Sequence, residues 1–434
     1  MRLRILGFAL LLAASLPAGE PPLALAHATV IDGTGSPARR GTTVLIEDGR
    51  IAKIFADGRQ ALPKGTKVLD LSGKFVLPGL IDAHVHFTGA ESDMAGYERL
   101  LRELLLDGVT TVRDMAGDDR LLAYLARQTG SGALPGPAIA FAALMSGPSF
   151  FAEDPRAQGA SEGLVLGEAP YMQAVTARTD LRLAVAQARG TGASGIKLYA
   201  NLPASLVADI AAEAHRQGML VWTHATIFPA RPSDAVAAGA DSLSHSPYLV
   251  WEAAPRVPQD YRVRAKGDFA HVRPDDPRIV AVLDAMRAKG TILDATLVAF
   301  AEEAKKEPDR VSPGIADWSF AVTRLARERG VLVDTGSDSP GLPLDEHGRI
   351  EPGAVPGVVS EMELLARKCG YSPLEAIRAA TWVGALAVGR SADRGTVAPG
   401  KRADLVVLDA DPTLELANLR RVAFVLKAGR LYRR

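Results

Sequence analysis

Cysteine is almost missing from this chain of 434 residues, and the single Cys369 excludes an intramolecular disulfide. Without a Cys-x-x-Cys pair a thiolate zinc knuckle is excluded as well. Any metal ligands must therefore be histidines and carboxylates. Net charge is missing too: 50 Lys and Arg balance 50 Asp and Glu, so no overall field draws the protein to nucleic acid or to an anionic membrane. No Gly-x-Ser-x-Gly elbow stands at a strand-to-helix turn, which argues against Ser/His/Asp catalysis, and no complete Gly-x-x-x-x-Gly-Lys-Ser/Thr loop is present to cradle phosphates. Beyond the N-terminus the apolar stretches are strand-sized, too short to cross a bilayer.

What is present is ordinary globular usage, 47% hydrophobic and 23% charged, with Gly 41 and Pro 28 well short of a low-complexity bias. At roughly 100–200 residues per domain the length implies about two to four domains, or one large barrel with an appendage. Arg2 and Arg4 precede the apolar run Ile5 to Ala14, and small residues follow around Ser15 to Gly19. This is the order of a secretory signal, so residues 1–18 are expected to be removed near Ala18, leaving a soluble secreted or periplasmic protein with no stable membrane insertion.

From Leu23 to about Leu77 short strands alternate with turns, and Asp48-Gly49 is a strong hairpin signal. The C-terminal end reads alike, through Asp404–Leu408 and Val422–Arg430. The two β-rich ends are expected to join in one small β domain. Between them apolar runs alternate with amphipathic stretches such as Tyr97–Asp107 and Ser205–Gln217, the pattern of βα units around a parallel sheet. Eight candidate strands follow in order: Gly79–His86, Val109–Met115, Pro137–Ala142, Gly195–Ala200, Leu220–Ala225, Ser242–Ser246, Thr291–Leu297 and Val331–Asp338. The expectation is an α/β chain: a (β/α)8 TIM barrel over residues 78–385, flanked by a β-sandwich domain of residues 19–77 and 386–434, with a doubly wound open sheet as the alternative. Trp251 to Asp276, after the sixth strand, lacks periodicity and reads as a long loop on the active-site face.

Of the eight histidines, His84, His86, His224 and His245 each sit at the C-terminal end of an apolar strand, where barrel enzymes keep their catalytic groups. His84 and His86 share strand parity and point to one face, an arrangement suited to a zinc-like ion. His224 and His245, taken alone, read as hydrogen-bonded core histidines; on adjacent strands they could share an ion. Asp338 ends the last strand, beside the first once the barrel closes, and a buried carboxylate there needs a cation or donors. Asp334 sits lower and reads as structural. Lys197 ends the fourth strand, an awkward place for an ammonium: either an ion pair or an uncharged amine modified into an anionic ligand.

These residues resemble the amidohydrolase superfamily, in the branch of imidazolonepropionase-like proteins and Xaa-Pro dipeptidases. The resemblance covers nearly the whole mature chain and rests on Pro78-Gly79-Leu80-Ile81-Asp82-Ala83-His84-Val85-His86, Gly195-Ile196-Lys197-Leu198-Tyr199, Thr223-His224-Ala225, Ser244-His245, Gly336-Ser337-Asp338-Ser339 and Pro399 to Leu408, in the family's order. It departs in Ser337, where Thr is common, and in Val358-Val359-Ser360, where a His is frequent. It implies that His84, His86 and Asp338 hold one zinc ion, that His224 and His245 hold a second, and that N-carboxylated Lys197 bridges the two. A hydroxide between the metals would then attack an amide carbonyl, with Asp338 carrying the proton to the leaving nitrogen. The expected substrate is a small amide, a dipeptide or N-acyl amino acid. The alternatives are a cyclic-amide hydrolase or mononuclear deaminase and, from another class, an inactive zinc-binding scaffold. Tyr199, of the same parity as Lys197, and His271, in the loop after the sixth strand, are the candidate substrate contacts. Cys369 reads as a packed small hydrophobe, and His27, His215 and His347 as structural or exposed. A homo-oligomer is an open alternative by analogy with other barrels.

Overall fold

In a computed structural model the chain is described over residues 21–88, 93–345 and 347–434. The expected export signal lies outside these residues. Both chain ends contribute to one mixed eight-stranded sheet. Its centre is where they meet: Phe75–Pro78 runs antiparallel to Leu405–Leu408 and parallel to Leu23–Val30. Asp48 and Gly49 both have positive φ, 49° and 72°, as the tight turn between Arg39–Glu47 and Arg50–Ala56 requires. Leu25, Val44, Ile51, Val76, Leu405 and Val407 form the buried face of this small domain.

Pro78 ends the sheet and the barrel begins at Leu80. The barrel strands are β1 (Leu80–Val85), β2 (Val109–Asp114), β3 (Ala138–Ser146), β4 (Gly195–Leu198), β5 (Leu220–His224), β6 (Ser242–Ser244), β7 (Ile292–Asp294) and β8 (Val333–Asp334). Each pairs in parallel with the next. Closure follows from Val85 bridging Ser339 in parallel and from the Ala83 amide donating to the Thr335 carbonyl. The expected (β/α)8 barrel with its small β domain is thus borne out. All six residues of β2 are buried, as expected of strands covered on both faces.

The outer helices bury their apolar stripes on these strands. In Met94–Leu106, capped by the Asp93 carboxylate accepting from the Gly96 amide, Leu100, Leu101, Leu104 and Leu105 are buried. In Ala204–Arg216 the buried residues are Leu206, Val207, Ile210, Ala211 and Ala214. The segment after β6 is more ordered than its composition implies. It contains the helical turns Ser246–Ala253 and Tyr261–Val263. Arg231 holds it by donating to the carbonyls of Trp251, Glu252 and Ala254. Local side-chain bonds, invisible to periodicity, replace the missing apolar pattern.

Candidate metal centre

The register of the barrel decides which side chains meet. His224 pairs with Ser244, Ser244 with Asp294, and Asp294 with Asp334, a single layer across β5 to β8. Above it His245 (φ 75°), Thr296 (φ 52°) and Asp338 (φ 50°) leave their strands in left-handed backbone, a conformation costing about 1 kcal/mol or more for a non-glycine residue. That strain turns the ends of β6, β7 and β8 toward the mouth.

There His84 Nε2 and His86 Nε2 lie 3.2 Å apart, and Asp338 Oδ1 is 3.4 Å from the first and 3.3 Å from the second. Tetrahedral ligands about 2.0–2.1 Å from a zinc ion are separated by about 3.3 Å, so this triangle fits one cation. His245, Asp338 and His84 also bring one ligand atom each within 4.8 Å of one another. The His224 ring packs edge-on to His245 at 4.3 Å between centroids. Lys197, buried on β4, donates to the Ser244 hydroxyl at 3.1 Å, and that hydroxyl donates onward to Asp294 at 2.9 Å. The four imidazoles, the amine and the carboxylate singled out from the sequence therefore lie in one cluster.

Electrostatics put His84, His224, His245 and Asp338 in a form that can ligate. Burial pushes the His84, His224 and His245 imidazoles down, so they are neutral with lone pairs available. Burial works to raise Asp338, but the imidazoles of His84, His86 and His245 outweigh it and hold the carboxyl well below the usual range. At His86, the most exposed of the four, desolvation works downward and the Asp338 carboxylate outweighs it, so its imidazole stands above the usual value. Burial pushes the Lys197 amine down to about 7.

A model of the Amidohydrolase family matches residues 75–432. The chain belongs to the amidohydrolase family. It is an enzyme, a metal-dependent hydrolase of carbon–nitrogen bonds. An imidazolonepropionase from Salinispora arenicola is 27% identical, over 87% of this chain and 88% of that one. Ochratoxinase from Aspergillus niger is 26% identical, over 93% and 85%. The solved structure of a Xaa-Pro dipeptidase with bound methionine in its active site has the same fold, with a TM-score of 0.72 at 22% identity over 95% and 100% of the chains.

Around these candidate ligands the amidohydrolase carries a support layer that strand-end histidines do not reveal. Asp294 Oδ2 lies 2.6 Å from His84 Nδ1, and Thr296 Oγ1 lies 2.9 Å from His245 Nδ1. Arg113, wholly buried on β2, donates to Asp294 at 3.3 Å, lies 3.8 Å from Asp334 and stacks 4.8 Å over the Trp222 ring. Buried Glu361 accepts from the Leu297 and Val298 amides, and burial raises it to about 8. Asp334 is buried and burial raises it well above the usual range, in keeping with a structural place below the mouth. Asp294 ends its strand as the histidines do, so the same reasoning could have found it; Arg113 gave no signal at all.

Tyr199 packs edge-on to His224 at 4.2 Å between centroids, and its hydroxyl accepts from Arg156 at 2.9 Å. His271 stands elsewhere. It is exposed, its ring bonded to Asp268 on the same loop, and the long reach of that loop carries it into solvent rather than into the cluster. His27 pairs with Asp57 and His215 with Asp241, and His347 is exposed. Cys369 is buried, and burial pushes its thiol up to about 12, so it is no nucleophile. Val358 and Val359 are buried in the helix Gly357–Cys369. Among the described residues no helix is long and apolar enough to cross a membrane.

Proposed function

We propose that this amidohydrolase is an exported binuclear-metal enzyme that cleaves the amide bond of a dipeptide or N-acyl amino acid. The observation that carries the reading is the triangle of His84, His86 and Asp338, 3.2–3.4 Å on each side, next to the His224–His245 pair and the buried Lys197 amine. His84, His86 and Asp338 would hold one cation, and His224 and His245 the second. Imidazole and carboxylate donors suit zinc. Cations bound there would polarise the amide carbonyl and acidify water toward a pKa of about 7.

Lys197 would bridge the pair as a carbamate. Its neutral amine attacks the carbon of carbon dioxide and loses a proton, which leaves an anionic group with two oxygens. A pKa of about 7 keeps much of the amine neutral at neutral pH. Asp338, ionised and held among three imidazoles, receives the proton of the attacking water and returns it to the leaving nitrogen. Tyr199, one edge-on ring contact from His224, closes the site on that side.

The test is amine release from a library of dipeptides and N-acyl amino acids by zinc-loaded protein, with Asp338→Asn as control. Turnover by the wild type and its loss in the variant support the reading; turnover undiminished in the variant removes Asp338 from it. A second reading, a cyclic-amide hydrolase or mononuclear deaminase, draws on His84, His245 and Asp338, which bring one ligand atom each within 4.8 Å of one another and could hold one ion without His224. One metal ion per chain and ammonia release from aminopurines would favour it. For export, the N-terminus of protein recovered from the periplasm should begin near Gly19.

A further inference from the structure

Beside His224 and His245 the mouth is walled by aromatic rings. Tyr248 lies 5.7 Å from His224 and 5.4 Å from His245, and Phe300 lies 5.3 Å from Tyr248. On the other side Tyr261 lies 5.8 Å from Tyr199. Two guanidinium groups enter this wall, and they differ in how they are satisfied. Arg156 is paired with Asp154 and donates to the Tyr199 hydroxyl. Arg264, part-buried on the loop after β6, has its Cζ 5.5 Å from the Tyr261 ring centroid. Among the described residues its guanidinium makes no hydrogen bond and no ion pair. Glu303 is within electrostatic reach but not in contact.

A part-buried guanidinium at the mouth with no protein partner among the described residues still reaches solvent, so its N–H donors are open to an anion that enters there. Arg264 is held for such a role. The Trp251 indole donates to its main-chain carbonyl at 2.9 Å, and Tyr261 beneath it is fixed by donating to Asp154 at 2.8 Å. Its charge reaches the cluster, where it adds to the forces keeping His224 neutral. The Tyr248 hydroxyl, facing the same space, makes no hydrogen bond among the described residues and remains a free donor.

We propose that Arg264 is the specificity residue of this site, pairing with a carboxylate on the substrate while Tyr248 and Phe300 hold an apolar or aromatic group beside it. This rests on the reading of a dipeptide or N-acyl amino acid as substrate and names the residue that takes the carboxylate those substrates share. The planar fork of five N–H donors suits a carboxylate, and a neutral amide or alcohol at that position leaves the charge unpaired.

The test uses zinc-loaded full-length protein and two ligands that cannot be hydrolysed, 3-phenylpropanoate and 3-phenylpropan-1-ol, with binding followed by calorimetry. The wild type should bind the anion about 10–100-fold more tightly than the alcohol, the range of a charge-assisted hydrogen-bonded pair. Arg264→Gln and Arg264→Met should lose that preference with the alcohol affinity unchanged, and Arg264→Lys should keep part of it. Equal preference in the wild type and in either neutral variant means that the metals hold the anion, and the proposal fails. Absence of preference in the wild type also overturns it. Amine release from the dipeptide library is scored separately, so a chain that prefers the anion but cleaves nothing keeps Arg264 and loses the dipeptide and acyl-amino-acid reading.

Discussion

Asp294 and His84 meet through a 2.6 Å contact between Oδ2 and Nδ1, with both side chains shut off from solvent. The carboxylate accepts the Nδ1 proton, which fixes the tautomer and leaves Nε2 as a lone pair aimed at His86 and Asp338. Asp294→Asn keeps the shape and loses the charge. Zinc affinity should fall about 10–100-fold, the usual effect of removing such a partner. Titration against a chelator of known affinity checks this, and unchanged affinity would show that His84 is oriented by its packing alone.

Gly336 follows β8 and packs against His84 and Asp294. A Cβ built there would lie 2.2 Å from Asp294 Oδ1 and 2.5 Å from the His84 Cβ. Gly336→Ala must push one of them aside. Overpacking of this kind typically costs about 1–3 kcal/mol. The variant should unfold at lower urea and hold less metal; a variant with wild-type stability and metal content would contradict the close packing described here.

Lys197→Ala should strip metal from the site. The pH dependence of reconstitution gives a finer test. An amine whose value is lowered to about 7 is mostly protonated below that pH and mostly neutral above it, and only the neutral form attacks carbon dioxide. Zinc uptake by stripped wild-type protein should therefore require bicarbonate and rise as pH passes upward through about 7. Uptake indifferent to bicarbonate argues against the carbamate.

Lys427, buried where the small domain meets the barrel, donates to the carbonyls of Thr129 and Gly136. Burial lowers its amine from 10.5 to about 8. Between these values the unfolded chain holds more protons than the folded one, so the stability contributed by this residue increases as pH rises from 8 to 10.5. Urea midpoints of the wild type and Lys427→Met compared at pH 8 and pH 10 should shift in favour of the wild type at the higher pH. A shift in the other direction would reverse the sign assigned to Lys427.

The barrel was legible because each strand is a short apolar run closed by a polar residue, and strand parity alone put His84 and His86 on one face. The β8 expectation was too long: only Val333 and Asp334 are strand, since Gly336 to Asp338 turn toward the site. Arg113 was invisible because a buried arginine inside Val109–Asp114 has no periodic signature; its partners come from β1, β6, β7, β8 and Ala387. Arg264 was hidden for a related reason. Its loop carries charges throughout, and only the fold shows that Arg262 pairs with Asp260 while Arg264 makes no ion pair among the described residues.

Metal stoichiometry tests the central claim most directly. Protein purified without chelator and analysed by mass spectrometry of the elements should carry two divalent cations per chain, falling to one or none in His224→Ala or Lys197→Ala. One ion in the wild type would leave His224 without the ligand role assigned to it. A wild type free of metal, even after incubation with zinc and bicarbonate, would contradict the account.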